Sequence, residues 1–251
     1  YFNMSLEQSF EKQGNFLFRY RGQFPLILFF LAIPFIYITD LSNLYFIDNK
    51  ILFYIITSIL FILGFMLRCY TIGTTPYGTS GRNTKSQIAD TLNTNGIYSI
   101  IRHPLYLGNF LIWLSIAIYT YSLFFPLFMS LLFWLYYERI MFAEEKFLEK
   151  KFGDKFINWS NLVPAFFPKK LVMTVSPVKF SFKSVLRREY ASYLSAISAF
   201  LFIDVVRIIV FNNILYLEKN KLIFFLVSII IVLILRTLKH YTLLLNESDR
   251  S

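Results

Sequence analysis

The chain has 251 residues, 56% of them hydrophobic and 20% aromatic, with a mean hydropathy of +0.54. Soluble domains run nearer about 45–50% apolar, so an ordinary water-soluble domain is excluded and an integral membrane protein is expected. The net charge of +10 becomes informative only once the charges are placed along the chain. A single cysteine, Cys69, excludes an internal disulfide, and one Cys with two His is too poor a ligand set for a zinc or haem site.

Six apolar runs follow in chain order, at about Phe24–Thr39, Ile51–Leu67, Leu105–Tyr119, Ser122–Met141, Tyr190–Phe211 and Leu222–Leu238. A bilayer core requires about 20 helical residues, with about 17 at the short end. The expected fold class is therefore all-α: a polytopic helical membrane bundle of about six spans. Thr120-Tyr121 alone separates the third run from the fourth, which fits a tight helical hairpin. Pro104 suits the first turn of a helix, where a missing N–H costs least, whereas Pro34 falls inside a run.

With the N-terminus placed inside, 21 of the 25 Lys and Arg residues fall on inside segments. Three (Lys50, Lys219 and Lys221) fall outside, and Arg207 lies within the fifth run. Such asymmetry is the positive-inside signal. It puts both termini and all the polar motifs on the cytoplasmic side, in a bacterium the inner membrane. Three parts are expected: residues 1–170 as a core of four spans with a cytoplasmic segment, 171–189 as a basic linker, and 190–251 as a two-span hairpin. The hairpin could wall a lipid substrate or form a dimer contact. Asp204 and Arg207, one turn apart in it, are expected to neutralise each other.

Two polar stretches at the ends of these runs hold nearly all the available chemistry. The first is Gly96-Ile-Tyr-Ser-Ile-Ile-Arg-His-Pro-Leu-Tyr-Leu-Gly108. Pro104 can open a helix whose free N–H groups attract an anion, with Arg102 and His103 just before it and Tyr106 within its first turn. The same residue types also serve as membrane-interface anchors, and both readings stand for this stretch. The second is Glu138-Arg-Ile-Met-Phe-Ala-Glu-Glu145, running on to Phe152-Gly-Asp-Lys-Phe156. Lys146, Glu149, Lys150 and Lys151 read as a solvated face. Glu144 is expected to return to the side of Arg139, whose guanidinium can grip an anion.

Together the two stretches resemble a known family. Gly96, Tyr98, Arg102, His103, Pro104, Tyr106 and Gly108 match its Gly-x-Tyr-x-x-x-Arg-His-Pro-x-Tyr-x-Gly pattern. Arg139, Ile140, Glu144, Glu145, Leu148, Phe152, Gly153 and Phe156 match its second pattern, and Trp159 and Val163–Pro168 extend it. Over about Leu52 to Pro168 the chain resembles the isoprenylcysteine carboxyl methyltransferases and their phospholipid methyltransferase relatives. The resemblance implies an S-adenosylmethionine site between the helix ends and the following cytoplasmic segment. By position, His103, Tyr106 and Glu144 would hold the cofactor, together with Arg102 and Pro104. Gly96, Tyr98 and Gly108 would shape its loop, and Arg139 and Glu145 would lie nearest the transfer as catalytic residues. No metal ligand is implied. The residues fit on one point of their own: a sulfonium, an ammonium and a carboxylate call for acidic and basic groups side by side. No Gly-x-Gly-x-Gly stretch follows a strand, so a Rossmann-type methyltransferase is excluded.

The expected acceptor is a membrane lipid or lipid-linked substrate, not a nucleic acid. An anionic acceptor requires cations and partial desolvation but no general base, whereas an amine must first lose a proton. Arg102, Arg139 and the basic linker favour a lipid phosphate or carboxylate. A phosphatidylethanolamine-type amine and a prenyl-cysteine carboxyl group are the alternatives within methyl transfer. An NADPH-dependent sterol-type reductase, which shares the Arg-His-Pro-x-Tyr stretch, and a non-enzymatic scaffold are the alternatives outside it.

Overall fold

The computed structural model describes residues 4–39, 50–76, 78, 79, 87 and 89–247. Of the basic residues counted above, Arg82, Lys85, Arg250 and the side chain of Lys50 lie outside the description, as does segment 40–49. Among the described residues there are eight α-helices and no strand.

The six expected runs correspond to α2 (Phe24–Tyr37), α3 (Lys50–Gly73), α4 (Pro104–Tyr119), α5 (Phe124–Phe152), α7 (Phe182–Asn212) and α8 (Lys219–Tyr241). Of these, α3, α7 and α8 are long and apolar enough to cross a membrane, while Ile27–Tyr37 and Pro104–Tyr119 are shorter apolar helices. In α3 and α8 only 11% of the apolar window is buried inside the protein. Their Leu and Ile side chains face outward, which is stable only against lipid. The chain is thus an integral membrane helical bundle, while the number six is still an expectation.

Two helices had no counterpart among the apolar runs. The first, α1 (Leu6–Arg19), is amphipathic and opens on a capping box: Ser5 Oγ accepts from the Gln8 amide and Gln8 Oε1 from the Ser5 amide, each at 3.2 Å. It lies along α5, with Glu7 on Lys146 (2.7 Å) and Glu11 on Lys150 (2.6 Å). The approach is close enough that a Cβ on Gly14 would sit 2.0 Å from the Arg139 carbonyl oxygen. The second, α6 (Asp154–Leu162), follows the sharp turn at Gly153.

Helix α7 begins eight residues before the expected run, capped by Ser181, whose Oγ accepts from the Ser184 amide at 3.0 Å. Glu189 is therefore helical. It takes a bidentate ion pair from Arg68 of α3, with both N–O distances 2.8 Å. Asn109 of α4 accepts from the same guanidinium and donates to Tyr137 of α5 at 2.8 Å. One polar network thus ties α3, α4, α5 and α7. Gly64 and Gly108 let α3 and α4 touch: a Cβ on either would lie within 2.9 Å of the other's carbonyl oxygen.

At the far end of the bundle the expected Asp204–Arg207 pairing is replaced by longer-range partners. Asp204 takes Lys221 of α8 at 2.8 Å and the Tyr119 hydroxyl at 3.0 Å. Arg207 donates to the Tyr119 carbonyl at 3.0 Å and lies 3.4 Å over the Tyr121 ring. Such cross-helix partners satisfy charges buried in an apolar setting better than a neighbour on the same helix.

The Arg68–Glu189 pair yields a stability prediction. Glu189→Gln leaves a buried guanidinium uncompensated and is expected to destabilise by about 3–5 kcal/mol, while Arg68→Met/Glu189→Leu recovers most of that loss. Unfolding in mixed detergent measures both, and a double variant no better than the single one would argue against the pair's role.

Candidate functional site

Helix α5 has 29 residues and is about 43 Å long, against a hydrocarbon core of about 30 Å. Its last third must leave the bilayer, and that third carries Glu144 and Glu145. The N-terminus of α4 meets it there. Gly96 (φ +60°) opens a 3-10 turn over Gly96–Ser99, and buried Ile97, Ile100 and Ile101 anchor the turn against Leu67 and Tyr70. The chain then runs beside the segment that follows α6. The Arg102 amide donates to the Pro164 carbonyl at 2.9 Å, His103 to Ala165 at 3.1 Å, and the Trp159 indole to Tyr98 at 3.1 Å. Pro104 then starts α4, as its missing N–H favours.

The two motifs meet through His103, which is buried. Its Nε2 lies 2.9 Å from Glu145 and its Nδ1 3.5 Å from Glu144. Arg102 holds Glu145 from the other side at 2.9 and 3.2 Å and donates onward to the Ser160 carbonyl. The Tyr106 hydroxyl donates to Glu144 at 2.7 Å, and Arg21 approaches the same carboxylate at 3.9 Å. Burial works against a charge on His103, but the hydrogen bonds and charges of Glu144 and Glu145 outweigh it and raise its pKa above the ordinary 6.5. Burial likewise opposes ionisation of Glu145, and the hydrogen bond and charge of His103, followed by Arg102, overcome it and hold its pKa below 4.5. The Tyr98 phenol, pushed up to about 12 mainly by burial, stays a neutral donor.

A cavity of about 580 Å³ opens beside this cluster, within the range of about 300–1,000 Å³ usual for small-molecule sites. Arg21, Tyr98, Arg102, His103, Glu144 and Trp159 are at its polar end. Of the remaining sequence-predicted residues, Pro104 and Tyr106 also line it. Gly96 shapes the turn below Ser176, and Gly108 serves the α3–α4 contact. Glu145 is taken up by Arg102 and His103. Arg139 is on another face: its guanidinium lies 3.6 Å over the Phe10 ring of α1 and 2.6 Å from Glu138. Five residues advance a helix about 140° beyond a full turn, so Glu144 does not return to the Arg139 side.

Several lining residues were not singled out from sequence. Arg21 follows the unforeseen α1. Arg68 ends an apolar run, where a lone Arg was a usable signal, and Arg188-Glu189 was assigned to the linker because α7 was started too late.

Fold and site define a helical membrane protein with a mixed-charge, aromatic-lined site at one end of its bundle. The family model described as phospholipid methyltransferase matches residues 52–155, a segment shorter than half of the chain. The chain is also similar to the cobalt-zinc-cadmium resistance protein CzcN of Cupriavidus metallidurans, 39% identical over 80 residues, which is 32% of this chain and 37% of that protein. It is 35% identical over 78 residues to the nickel-cobalt-cadmium resistance protein NccN of Alcaligenes xylosoxydans xylosoxydans, 31% of this chain and 36% of that protein. The matches thus span little more than a third of these relatives. No solved structure matches the chain.

The raised His103 pKa sets a pH dependence. Its contribution to stability is full below pH 6.5 and is lost as pH rises through the raised value; that of Glu145 is full above 4.5 and is lost as pH falls through the lowered one. The stability gap between wild type and His103→Gln is therefore expected to be wide at mildly acid pH and to narrow on alkalisation. NMR titration of labelled histidine, assigned with the same variant, reads the value directly, and a His103 midpoint below 6.5 would contradict the cluster.

Proposed function

We propose that this chain transfers the methyl group of S-adenosylmethionine to an anionic group of a membrane lipid, a phosphate or carboxylate, at the polar end of the cavity. The observation that carries this reading is the Glu144 carboxylate facing the cavity beside Arg21, in a segment that matches the phospholipid methyltransferase family model. The donor set fits the cofactor. Glu144 suits its ammonium and Arg21 its carboxylate, and the rings of Tyr98 and Trp159 suit an adenine face or a sulfonium. When bound, the cofactor supplies an electrophilic methyl group.

The chain's own residues bind, align and exclude water. Glu145 acts as the pin that fixes Arg102 and His103, and Arg139 as the seat of α1, which in turn delivers Arg21. The positive potential of the arginines at the polar end favours an anionic acceptor, and the cavity strips its water. An amine acceptor would call on a base, and the obvious one, His103, already has both ring nitrogens turned to Glu144 and Glu145. This favours the anionic acceptor over phosphatidylethanolamine, and a prenyl-cysteine carboxyl group is of the favoured class. The family match favours methyl transfer over the reductase. The positive-inside asymmetry supports a site on the cytoplasmic side of the membrane. A metal-resistance role, as the relatives' names describe, would run through the lipid product. Among the described residues no cluster of three or more His, Cys, Asp or Glu is placed to hold a metal.

Two measurements test the reading. Membranes with and without the protein, given radiolabelled S-adenosylmethionine, are expected to differ by label in an acidic lipid; label confined to an amine headgroup would overturn the acceptor class. By calorimetry, Glu144→Gln is expected to weaken cofactor binding about tenfold or more through loss of a charge-assisted contact, and Arg139→Ala, which acts only through the seating of α1 and Arg21, to weaken it less. The reversed pair of phenotypes would sink the assignment.

A further inference from the structure

The cavity does not stop at the charged cluster. Below Arg68, Asn109 and Glu189 it continues between four helices, and its lining becomes apolar: Leu28 and Ala32 of α2, Ile112 and Ile116 of α4, Met129 of α5 and Ala199 of α7. Its lower end is closed by Ala117, Phe125 and Ile203, which are almost fully buried. Helix α7 runs its whole length, with Arg188, Ser192, Ala196, Ala199 and Ile203 spaced three or four residues apart on one cavity-facing stripe. From Arg188 to Ile203 is about 22 Å along the helix, most of a hydrocarbon core of about 30 Å. Two of the walls, α2 and α7, lie outside residues 52–155, so the shaft is not a property of the family segment alone.

A shaft with this lining suits neither a charged cofactor nor water, since apolar cavities stay dry and take apolar guests. The bilayer around it is an abundant source of hydrocarbon chains. At its upper end Arg188, a buried guanidinium close enough to Tyr98 to act on its phenol, faces the same space. We infer that the shaft measures a single acyl chain of the acceptor lipid: Arg188 holds the acid group at the top, and Phe125 and Ile203 set the longest chain that fits. The reaction at the top rests on the methyl-transfer reading, whereas chain binding is read without the cofactor.

The test uses full-length protein in detergent and displacement of a fluorescent fatty acid by lysophosphatidic acids of increasing chain length. Affinity is expected to rise about fourfold per methylene until the chain reaches the floor and then to level off. Ala199→Phe fills the shaft one helical turn above Ile203 and is expected to move that plateau to chains about 6 Å shorter. Phe125→Ala opens the floor and is expected to move it to longer chains, and a folding defect cannot shift two variants in opposite directions. Arg188→Gln is expected to weaken acids at every length without moving the plateau, while leaving uncharged alcohols of equal length unaffected. Plateaus unchanged in both shaft variants would overturn the inference. The same lipids are then offered with radiolabelled S-adenosylmethionine. Length-dependent binding with no lipid methylated would uphold the shaft and overturn methyl transfer, whereas methylation indifferent to chain length and to both variants would do the reverse.

Discussion

The contact on which the site depends is the bridge of one imidazole between two adjacent carboxylates. His103 ends the loop before α4, and Glu144 and Glu145 lie on the stretch of α5 that leaves the bilayer. Two adjacent acids on a half-buried helical surface repel each other, and a neutral imidazole would do little to relieve that. The two ring nitrogens of His103 face one carboxylate each. The structure then separates the two acids: Glu145 is consumed by His103 and Arg102, while Glu144 keeps a single short hydrogen bond, from Tyr106, and faces the cavity. One acid fixes the loop so that the other can face a ligand.

The remaining architecture can be followed from that bridge. The Arg102 and His103 amides are already committed to Pro164 and Ala165, so the chain after α6 is fixed at the same place. This brings Trp159 and Tyr98 to the cavity together. Helix α1 is laid along the protruding part of α5 by ion pairs at its outer edge and by the Gly14 contact beneath, and it leads into Arg21. Individually the exposed ion pairs are worth little. The steric fit at Gly14 and the Phe10–Arg139 stack give the docking its register.

Much of this was legible in the sequence because the bilayer imposes a coarse rule. Six apolar runs became six helices, and the two polar motifs met at one end of the bundle. The misses share a physical cause: they concern amphipathic or polar helix that hydropathy does not register. Helix α1 is polar enough to be passed over, and the first turns of α7 carry Lys183, Arg187 and Arg188, which read as linker. That late start hid Glu189, whose partner Arg68 is 121 residues away, a separation no local pattern reveals. The misplacement of Arg139 came from treating a five-residue spacing as a return to the same face, when only three or four residues bring a helix round.

The family segment and its surroundings divide the work. Residues 52–155 contain nearly all of α3 and the whole of α4 and α5, hence both motifs and the carboxylate pair. A charged cofactor needs only that end of the bundle. What the segment cannot do alone is enclose the apolar space below, because α4 and α5 leave a side that α2 and α7 close. The Arg68–Glu189 pair joins the helices of the matched segment to α7 at the level where the lining changes from charged to apolar. Its desolvation penalty is large for a purely structural tie, since apolar residues of similar volume would hold the helices at least as well. On the acyl-chain reading, a charged pair at that depth marks a boundary, the point at which a headgroup must stop.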